Sequence, residues 1–212
     1  IDFCLVDMGP SIGELNKSLF WSSDYFLIPC SPDSYCKTTM KTMERTLPLW
    51  TEQQMRLAEV TKDMTMPLNP EPPKFLGILM GLFQTSGKDK NPIKDSQHWM
   101  DIIKTTVKSE LVPALKKYNM VHSYAPEDYT LAEIPNFLAL MPIAQRAHAP
   151  VFDIPDNAFV VQDEDGELSM LPKSEERATY FFEKYDGLAN VLVNMFNAED
   201  NEETENTFTQ VD

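Results

Sequence analysis

Residues 1–13 read IDFCLVDMGPSIG, and residues 25–29 read YFLIP. Both apolar segments are short and rich in β-forming residues, which predicts two buried strands. The MGP turn breaks the first strand directly after Asp7, and Ser11 can cap a helix that follows. The order strand, turn, helix and strand predicts a βαβ unit of a parallel sheet.

Asp7 is the last residue of the first predicted strand. Ligands of open parallel sheets bind beyond the carboxyl ends of the strands. A carboxylate at that position can hold hydrated Mg²⁺ against nucleotide phosphates, because Mg²⁺ keeps several waters and usually takes one or two carboxylates. Taken alone, the pattern also fits an acid that caps the next helix.

The string DMGPSIGEL at residues 7–15, followed by DYFLIPCSPD at residues 24–33, resembles the ParA/Soj-type partition ATPases. In that family a D-x-P-P-S-L-G segment forms the Walker B and switch region, and an A-D-x-x-L-I-P strand follows it. The match is in register and without a gap. Gly9 stands where the family usually has its first Pro, and NKS at residues 16–18 replaces the usual T-x-N.

The resemblance implies an α/β fold with a mostly parallel sheet and helices on both faces, as in ParA/MinD-like P-loop NTPases. It also implies binding and slow hydrolysis of ATP with Mg²⁺, and a homodimer when ATP is bound. Asp7 would then be the catalytic and metal-orienting residue, acting on the Mg²⁺ shell or on the attacking water. Gly9, Pro10 and Ser11 would sense the γ-phosphate as a switch.

Two further segments carry expected contacts to the nucleotide base. FLGILMGLF at residues 75–83 resembles a family strand that reads G-x-L-L-T-M-F, which makes Gly81 and Leu82 candidates. Residues 131–150 are similar to the late part of ParA-type ATPases, where a strand ends in a loop that lies near the base. This similarity makes Ala125 and Pro126 candidates for contact with the base. A glycine in a buried strand also fits close backbone packing, and the second pair also fits a structural connection.

The chain begins inside a predicted core strand and lacks the G-x-x-x-x-G-K-S/T spacing of a phosphate-binding loop. We therefore expect a fragment that is incomplete at the N-terminus and does not hydrolyse ATP by itself. Residues 1–197 are expected to be the C-terminal part of one ATPase domain. Residues 198–212 are expected to be a disordered tail, because five acids lie between Glu199 and Glu205.

The formal net charge is -15. The resemblance implies non-specific DNA binding and a ParB-like or cargo adaptor protein as partners, but this charge argues against a broad nucleic-acid-binding face. The lysine-containing loop at residues 85–97 is where we expect any contact with a phosphate backbone, and a solvated loop is the alternative.

No apolar run is long enough to cross a bilayer, and the last predicted helix lacks a basic amphipathic face. We therefore expect no membrane association. The resemblance places the protein in the cytoplasm of a bacterium, at the nucleoid if DNA is bound, with a chromosomal, plasmid or phage gene.

The three cysteines, Cys4, Cys30 and Cys36, lie in or beside predicted buried strands. An odd count without close pairing fits reduced thiols. The three histidines are scattered and no C-x-x-C is present, so neither residue type predicts a metal site.

The rest of the sequence predicts local elements. Helices are expected over residues 34–63 and 99–118, and a last helix is expected after the capping residue Ser174. Asp165-Gly166 between two apolar runs predicts a hairpin. A short strand is expected over residues 120–124.

Two other functions are compatible with the sequence. A non-enzymatic adaptor or pseudo-ATPase would keep the fold and use it as a binding scaffold. The altered switch residues and the negative net charge favour this alternative. A receiver-like signalling domain would use Asp7 as a phosphate acceptor, but receivers need a further acidic pair at an earlier strand end, and they are much shorter than this chain.

Overall fold

The structure, a computed structural model, describes residues 3–9, 13–87, 90–162, 168–171 and 173–209. The chain also has a π-helical turn at Val107–Leu111 and a 3₁₀ turn at Asp156–Phe159. The helices and strands in chain order are α1 (Glu14–Trp21), β1 (Tyr25–Cys30), α2 (Ser34–Thr61), β2 (Lys74–Phe83), β3 (Thr85–Ser86), β4 (Asn91–Pro92), α3 (Lys94–Thr106), α4 (Val112–Lys116), β5 (Thr130–Pro135), α5 (Leu140–Ala147), β6 (Val160–Gln162), β7 (Leu168–Met170) and α6 (Glu175–Thr209).

The centre of the fold is a parallel sheet with the strand order β1-β2-β5. One face packs against α1, α2, α3 and α4 around a core that includes Phe75, Ile78 and Met80. The other face packs against α5 and α6 through Leu76, Leu79 and their neighbours. The predicted α/β class, with a parallel sheet between helices, is confirmed.

Two backbone irregularities in β2 set which side chains face α2. Gly77 has a φ of +147° and Leu82 has a φ of 60°, and the pairing of β2 with its neighbours shifts near both positions. A regular strand alternates faces at every residue. The shifts therefore allow Phe75, Ile78, Met80 and Phe83 to enter the same core although their spacing is uneven.

The helix predicted at residues 99–118 is present but starts earlier, at Lys94, and contains the π-helical turn. Pro113 lies just after this turn, in the first turn of α4. Proline has no N–H and its ring clashes with the carbonyl four residues earlier, so it disturbs a regular α-helix. The wider π turn before Pro113 gives the chain a local way to relieve this clash. By contrast, α2 continues through Pro48 without a break in the assigned helix.

Three expectations differ from the structure. Residues 3–9 form no strand and their side chains are exposed, so the first predicted strand is not formed in the described residues. Residues 120–124 contribute only one bridge, between Val121 and Phe75. The last helix extends to Thr209, so it includes most of the stretch 198–212 for which the sequence predicted disorder.

The predicted hairpin is present as β6 paired antiparallel with β7, and its Asp165-Gly166 turn lies outside the described residues. Ser174 caps α6 as expected, since its Oγ accepts the backbone N–H of Arg177 at 3.3 Å. None of the helices in the described ranges combines the length and the hydropathy that crossing a membrane requires.

Candidate functional site

The three parallel strands end at one edge of the sheet, at Cys30, Phe83 and Pro135, which we call the carboxyl edge. Backbone hydrogen bonds hold the loops of this edge together. The N–H of Asn136 donates to the carbonyl of Phe83 at 2.9 Å. Gln84 donates its N–H to Ser96 Oγ at 3.3 Å and accepts the N–H of Ile93 at 3.0 Å. The carboxyl edge is thus a fixed surface rather than a set of independent loops.

Helices α2 and α3 begin at the carboxyl edge. The first residue of α2 follows Asp33, whose side chain accepts the N–H of Cys36 at 2.7 Å. The residue before α3 is Ile93, which offers no side-chain cap, and Asp95 lies in the first turn. Helix N-termini present N–H groups and a partial positive charge that favour an anion. At α2 the carboxylate of Asp33 already accepts one of these N–H groups, whereas the end of α3 has no side-chain cap.

Asp7, the predicted catalytic and metal-orienting residue, lies on the exposed segment 3–9. One contact of this segment is at the opposite edge of the sheet, where the ring of Phe3 lies 5.3 Å from that of Phe196. Residues 3–9 form no strand, so the structure does not place Asp7 at the end of a strand of the sheet. The physical reason is that a parallel strand is held by hydrogen bonds to a neighbouring strand, and segment 3–9 has no such partner in the described part of the chain.

Of the predicted switch residues, only Gly9 is described; Pro10 and Ser11 lie outside the described residues. The carbonyl of Gly9 accepts a hydrogen bond from Asn16 Nδ2 at 2.6 Å. This bond attaches the switch segment to the first turn of α1. Sequence reasoning noted Asn16 only as a departure from the ParA pattern, whereas the structure gives it a specific positioning contact.

Gly81 and Leu82 lie at the carboxyl end of β2. A Cβ on Gly81 would lie 3.9 Å from the carbonyl of Cys30, so the absence of a side chain leaves this part of the edge open. Leu82 is 48% exposed and takes a left-handed backbone conformation, which turns its side chain away from the core. The placement of this pair is compatible with the predicted contact to a ligand.

Ala125 and Pro126 lie near the opposite, amino edge of the sheet, where the strands begin. The N–H of Ala125 donates to the carbonyl of His122, whose own N–H donates to the carbonyl of Phe75 near the start of β2. Gly81 is six residues further along that strand, a separation of roughly 20 Å at the rise of a β-strand. The two predicted base-contacting pairs therefore do not form one site, and Ala125 and Pro126 are not part of the carboxyl edge.

The amino edge holds a partly buried polar cluster that the sequence did not predict. Glu199 Oε2 accepts the hydroxyl of Tyr25 at 2.5 Å and lies 3.0 Å from Nε2 of His122, whose side chain is completely buried. The other ring nitrogen, Nδ1, accepts the N–H of Tyr124 at 3.1 Å. The proton of the neutral imidazole is therefore on Nε2, which donates to Glu199. The cluster attaches the second half of α6 to the first strand.

Neither of two open cavities is lined by the residues that end the three strands. A cavity of about 210 Å³ at the amino edge is lined by Lys116, Asn119 and Ala125 among others. A cleft of about 410 Å³ lies between the start of α6 and the segment after α5, with Phe152 and Phe182 in its wall. Of the predicted site residues, only Ala125 lines either of them.

The lysine-containing loop is partly engaged within the protein. Lys90 Nζ lies 3.8 Å from the centre of the Tyr180 ring, a cation–π contact that joins the loop between β3 and β4 to α6. Lys88 lies outside the described residues. No group of three or more histidine, cysteine, aspartate or glutamate side chains that could hold a metal ion occurs within the described ranges. A Mg²⁺ ion held by one carboxylate and by phosphates does not require such a group.

Comparison of the chain with protein families, with curated proteins and with solved structures gave no match.

Proposed function

We propose that this chain belongs to an ATPase of the ParA/Soj type, which binds ATP with Mg²⁺, hydrolyses it slowly and dimerises when ATP is bound. The observation that carries the proposal is the parallel order β1-β2-β5, with α2 and α3 both starting at the carboxyl edge. Parallel α/β sheets bind nucleotides at this edge, because the helix N-termini there attract phosphate. The string DMGPSIG at residues 7–13 is the second support.

In this proposal residues 1–7 join the sheet beside β1 when the nucleotide site is complete. β1 is an edge strand of the described sheet, so its outer backbone groups have no strand partner there. Segment 3–9 carries Phe3, Leu5 and Val6, which are 60%, 91% and 49% exposed. An apolar, β-forming segment gains free energy when it is buried, and an open strand edge offers it hydrogen bonds. Such pairing would carry Asp7 to the carboxyl edge.

The residues present fit part of a Mg²⁺–nucleotide site. The carboxylate of Asp7 is free of ion pairs among the described contacts and could hold water molecules of the Mg²⁺ shell. When bound, Mg²⁺ would neutralise charge that develops on the phosphates. A change in the backbone at Gly9 when the γ-phosphate binds would be transmitted to α1 through the hydrogen bond from Asn16. A phosphate-binding loop is absent from these 212 residues and must be supplied by other residues.

The test compares ATP turnover of the 212-residue chain with that of the polypeptide from the complete reading frame. We expect no turnover from the first and slow, Mg²⁺-dependent turnover from the second. Asp7→Asn in the longer polypeptide should lower kcat about tenfold or more, because one charged contact to the metal shell is lost. Asp63→Asn, which changes another exposed aspartate, is the matched control and should leave kcat unchanged.

Absence of ATP binding by the complete polypeptide would refute the proposal. An unchanged kcat in Asp7→Asn would refute the role of this residue but not the ATPase activity. Sedimentation with and without ATP tests the dimer. DNA retention across salt concentrations tests the DNA partner, since phosphate-driven binding weakens as salt rises.

A non-enzymatic scaffold of the same fold is the second candidate. It is favoured by an apolar stripe on the second half of α2, where Leu49, Leu57 and Val60 are 58%, 44% and 71% exposed. These residues fall within about 80° of one another on a helical wheel and so share one side of the helix. A folded complete polypeptide that binds a protein partner but no nucleotide would support the scaffold.

A further inference from the structure

The open cleft of about 410 Å³ at the start of α6, which we call the α6 cleft, has an apolar lining. Phe152 and Phe182 form an edge-to-face pair in its wall, with ring centres 5.9 Å apart. Its volume is within the range of sites for small organic molecules, roughly 300–1,000 Å³. The buried part of the lining consists of Leu140, Val151, Ile154 and Phe159.

Phe182 presents apolar surface that a ligand could cover. This residue is 53% exposed although it lies beside the buried part of the lining. Its partner Phe152 also contacts the ring of Tyr185 at 5.3 Å, so the aromatic wall is held against α6. Covering an exposed ring removes apolar surface from water, which is favourable, and the face of a ring attracts a cation.

The charged groups of the α6 cleft leave an excess of negative charge. Asp153 and Glu175 line the cleft and are exposed, and neither forms an ion pair within the described part of the chain. Lys173 also lines the cleft, but its Nζ donates to the carboxylate of Asp156. Three carboxylates thus accompany one ammonium group, and the charge of the cleft favours a cationic ligand.

The helix N-terminus beside the cleft does not reverse this preference. A helix N-terminus attracts anions through its free N–H groups. At the start of α6, however, Ser174 Oγ accepts the N–H of Arg177 at 3.3 Å, and Glu175 and Glu176 place two carboxylates in the first turn. An anionic ligand would therefore meet groups of like charge.

We propose that the α6 cleft binds a small organic cation, an ammonium group carried on an apolar or aromatic body. The body lies against Phe182 and the buried apolar lining. The ammonium group lies at the exposed rim, near Asp153 and Glu175. This binding site goes beyond the proposed ATPase function and does not depend on it, since the nucleotide proposal uses none of these residues.

The test compares three probes that share a phenylbutyl body and differ in charge: phenylbutylamine, phenylbutanol and phenylbutanoate. At neutral pH the amine is positive and the acid is negative, because an alkylamine titrates in the range of lysine and a carboxylic acid in that of glutamate. Butylamine, which lacks the ring, is a fourth probe. Each probe is titrated into the 212-residue chain, and amide chemical shifts in proton–nitrogen correlation spectra give its dissociation constant.

We expect phenylbutylamine to bind with millimolar affinity or tighter, with the largest shifts at residues 151–154 and 174–182. Phenylbutanol should bind at least about threefold more weakly, and phenylbutanoate more weakly still, because each exposed carboxylate adds a modest attraction for a cation. High salt should reduce the difference between the amine and the alcohol, since it screens exposed charges. Butylamine should bind more weakly than phenylbutylamine, because it cannot cover Phe182.

A double variant tests the contribution of charge. Asp153→Asn with Glu175→Gln should weaken binding of phenylbutylamine at least about threefold and leave binding of phenylbutanol unchanged. The matched control is Glu183→Gln with Asp186→Asn, which changes two exposed acids of α6 outside the described lining and removes the same net charge. This control should leave the binding of both probes unchanged.

A single variant tests the aromatic wall. Phe182→Ala should weaken binding of both the amine and the alcohol at least about threefold, whereas Val193→Ala, another exposed apolar residue of α6, should change neither. The substituted side chains are exposed, and the amide spectrum of each variant without a probe shows whether its fold is kept.

Three results would overturn the proposal. Absence of saturable shifts with every probe at millimolar concentration would exclude the binding site. Binding of phenylbutanoate as tight as that of phenylbutylamine would exclude a cation as the ligand. Equal affinity of Phe182→Ala and Val193→Ala for the amine would exclude the α6 cleft as the place where the probe binds.

Discussion

Gly77→Ala is the substitution that we expect to destabilise the sheet most. Gly77 lies at the register shift of β2, with a φ of +147°, a backbone conformation that L-residues with a side chain rarely adopt. A Cβ at this position would lie 2.7 Å from the carbonyl oxygen of Tyr129 and 3.0 Å from Cγ of Leu131. The first contact is with backbone, which cannot rotate away as a side chain can. The same carbonyl accepts the N–H of Ile78 at 2.7 Å.

The size of the effect follows from two costs. A non-glycine residue in a sparsely populated φ region costs about 1–3 kcal/mol. Overpacking a well-filled position by a methyl group costs a further 1–3 kcal/mol or so. We therefore expect a loss of about 2–6 kcal/mol in the free energy of unfolding. Because domains of this kind are stable by roughly 5–15 kcal/mol, the variant should remain folded only marginally or fold poorly.

Gly187→Ala is the matched control. Gly187 lies inside α6, is exposed, and a Cβ there would meet no atom within 4 Å. The same chemical change should raise the free energy of unfolding by up to about 1 kcal/mol, because alanine has the higher helix propensity. Urea titrations followed by tryptophan fluorescence, with Trp21 buried in the core, measure both variants against the parent. A loss of less than about 1 kcal/mol in Gly77→Ala, with an unchanged urea dependence, would refute the strained backbone and the close approach to β5.

Glu199→Ala should lower the free energy of unfolding by about 1–3 kcal/mol, because the Nε2–H of His122 and the hydroxyl of Tyr25 would lose their acceptor. Urea titration measures this free energy. The control Glu183→Ala, on the exposed side of α6, should change it by less than about 0.5 kcal/mol. Equal losses in the two variants would contradict the polar cluster. Asp128→Asn tests the electrostatic contribution of Asp128 to stability. Burial opposes ionisation of this carboxyl. The N–H of Thr130 at 3.0 Å and the ammonium of Lys104 outweigh burial and hold the pKa of Asp128 below its usual value. The stabilisation by ionised Asp128 is thus present at neutral pH and is lost as the pH falls through the lowered folded-state pKa. Because the side chain is half exposed, the variant should be less stable than the parent by under about 1 kcal/mol at pH 7. In strong acid the two proteins should be equally stable. A stability difference that does not depend on pH would contradict this explanation.

The α/β class could be predicted because its signals are local. The apolar runs YFLIP at residues 25–29 and FLGILMGLF at residues 75–83 are too short for helices and rich in β-formers, and both are strands. Ser174 was expected to cap the last helix, and it does so, because a capping side chain acts within three positions of itself. A pattern of this kind needs no information about distant parts of the chain.

The candidate site depended on information that the sequence does not carry locally. Residues 1–7 have the composition of a strand, but a strand also needs a hydrogen-bonded neighbour, and the described segment 3–9 has none. The two pairs expected at the nucleotide base are at opposite edges of the sheet, because strand direction and register, not residue type, decide which loops meet.

The contacts between distant residues were decided by the tertiary structure alone. Glu199 bonds Tyr25 across 174 positions and His122 across 77 positions, and no periodicity relates such residues. Composition and periodicity determined which elements form. Their packing determined which side chains meet, because contact depends on the paths of several elements at once.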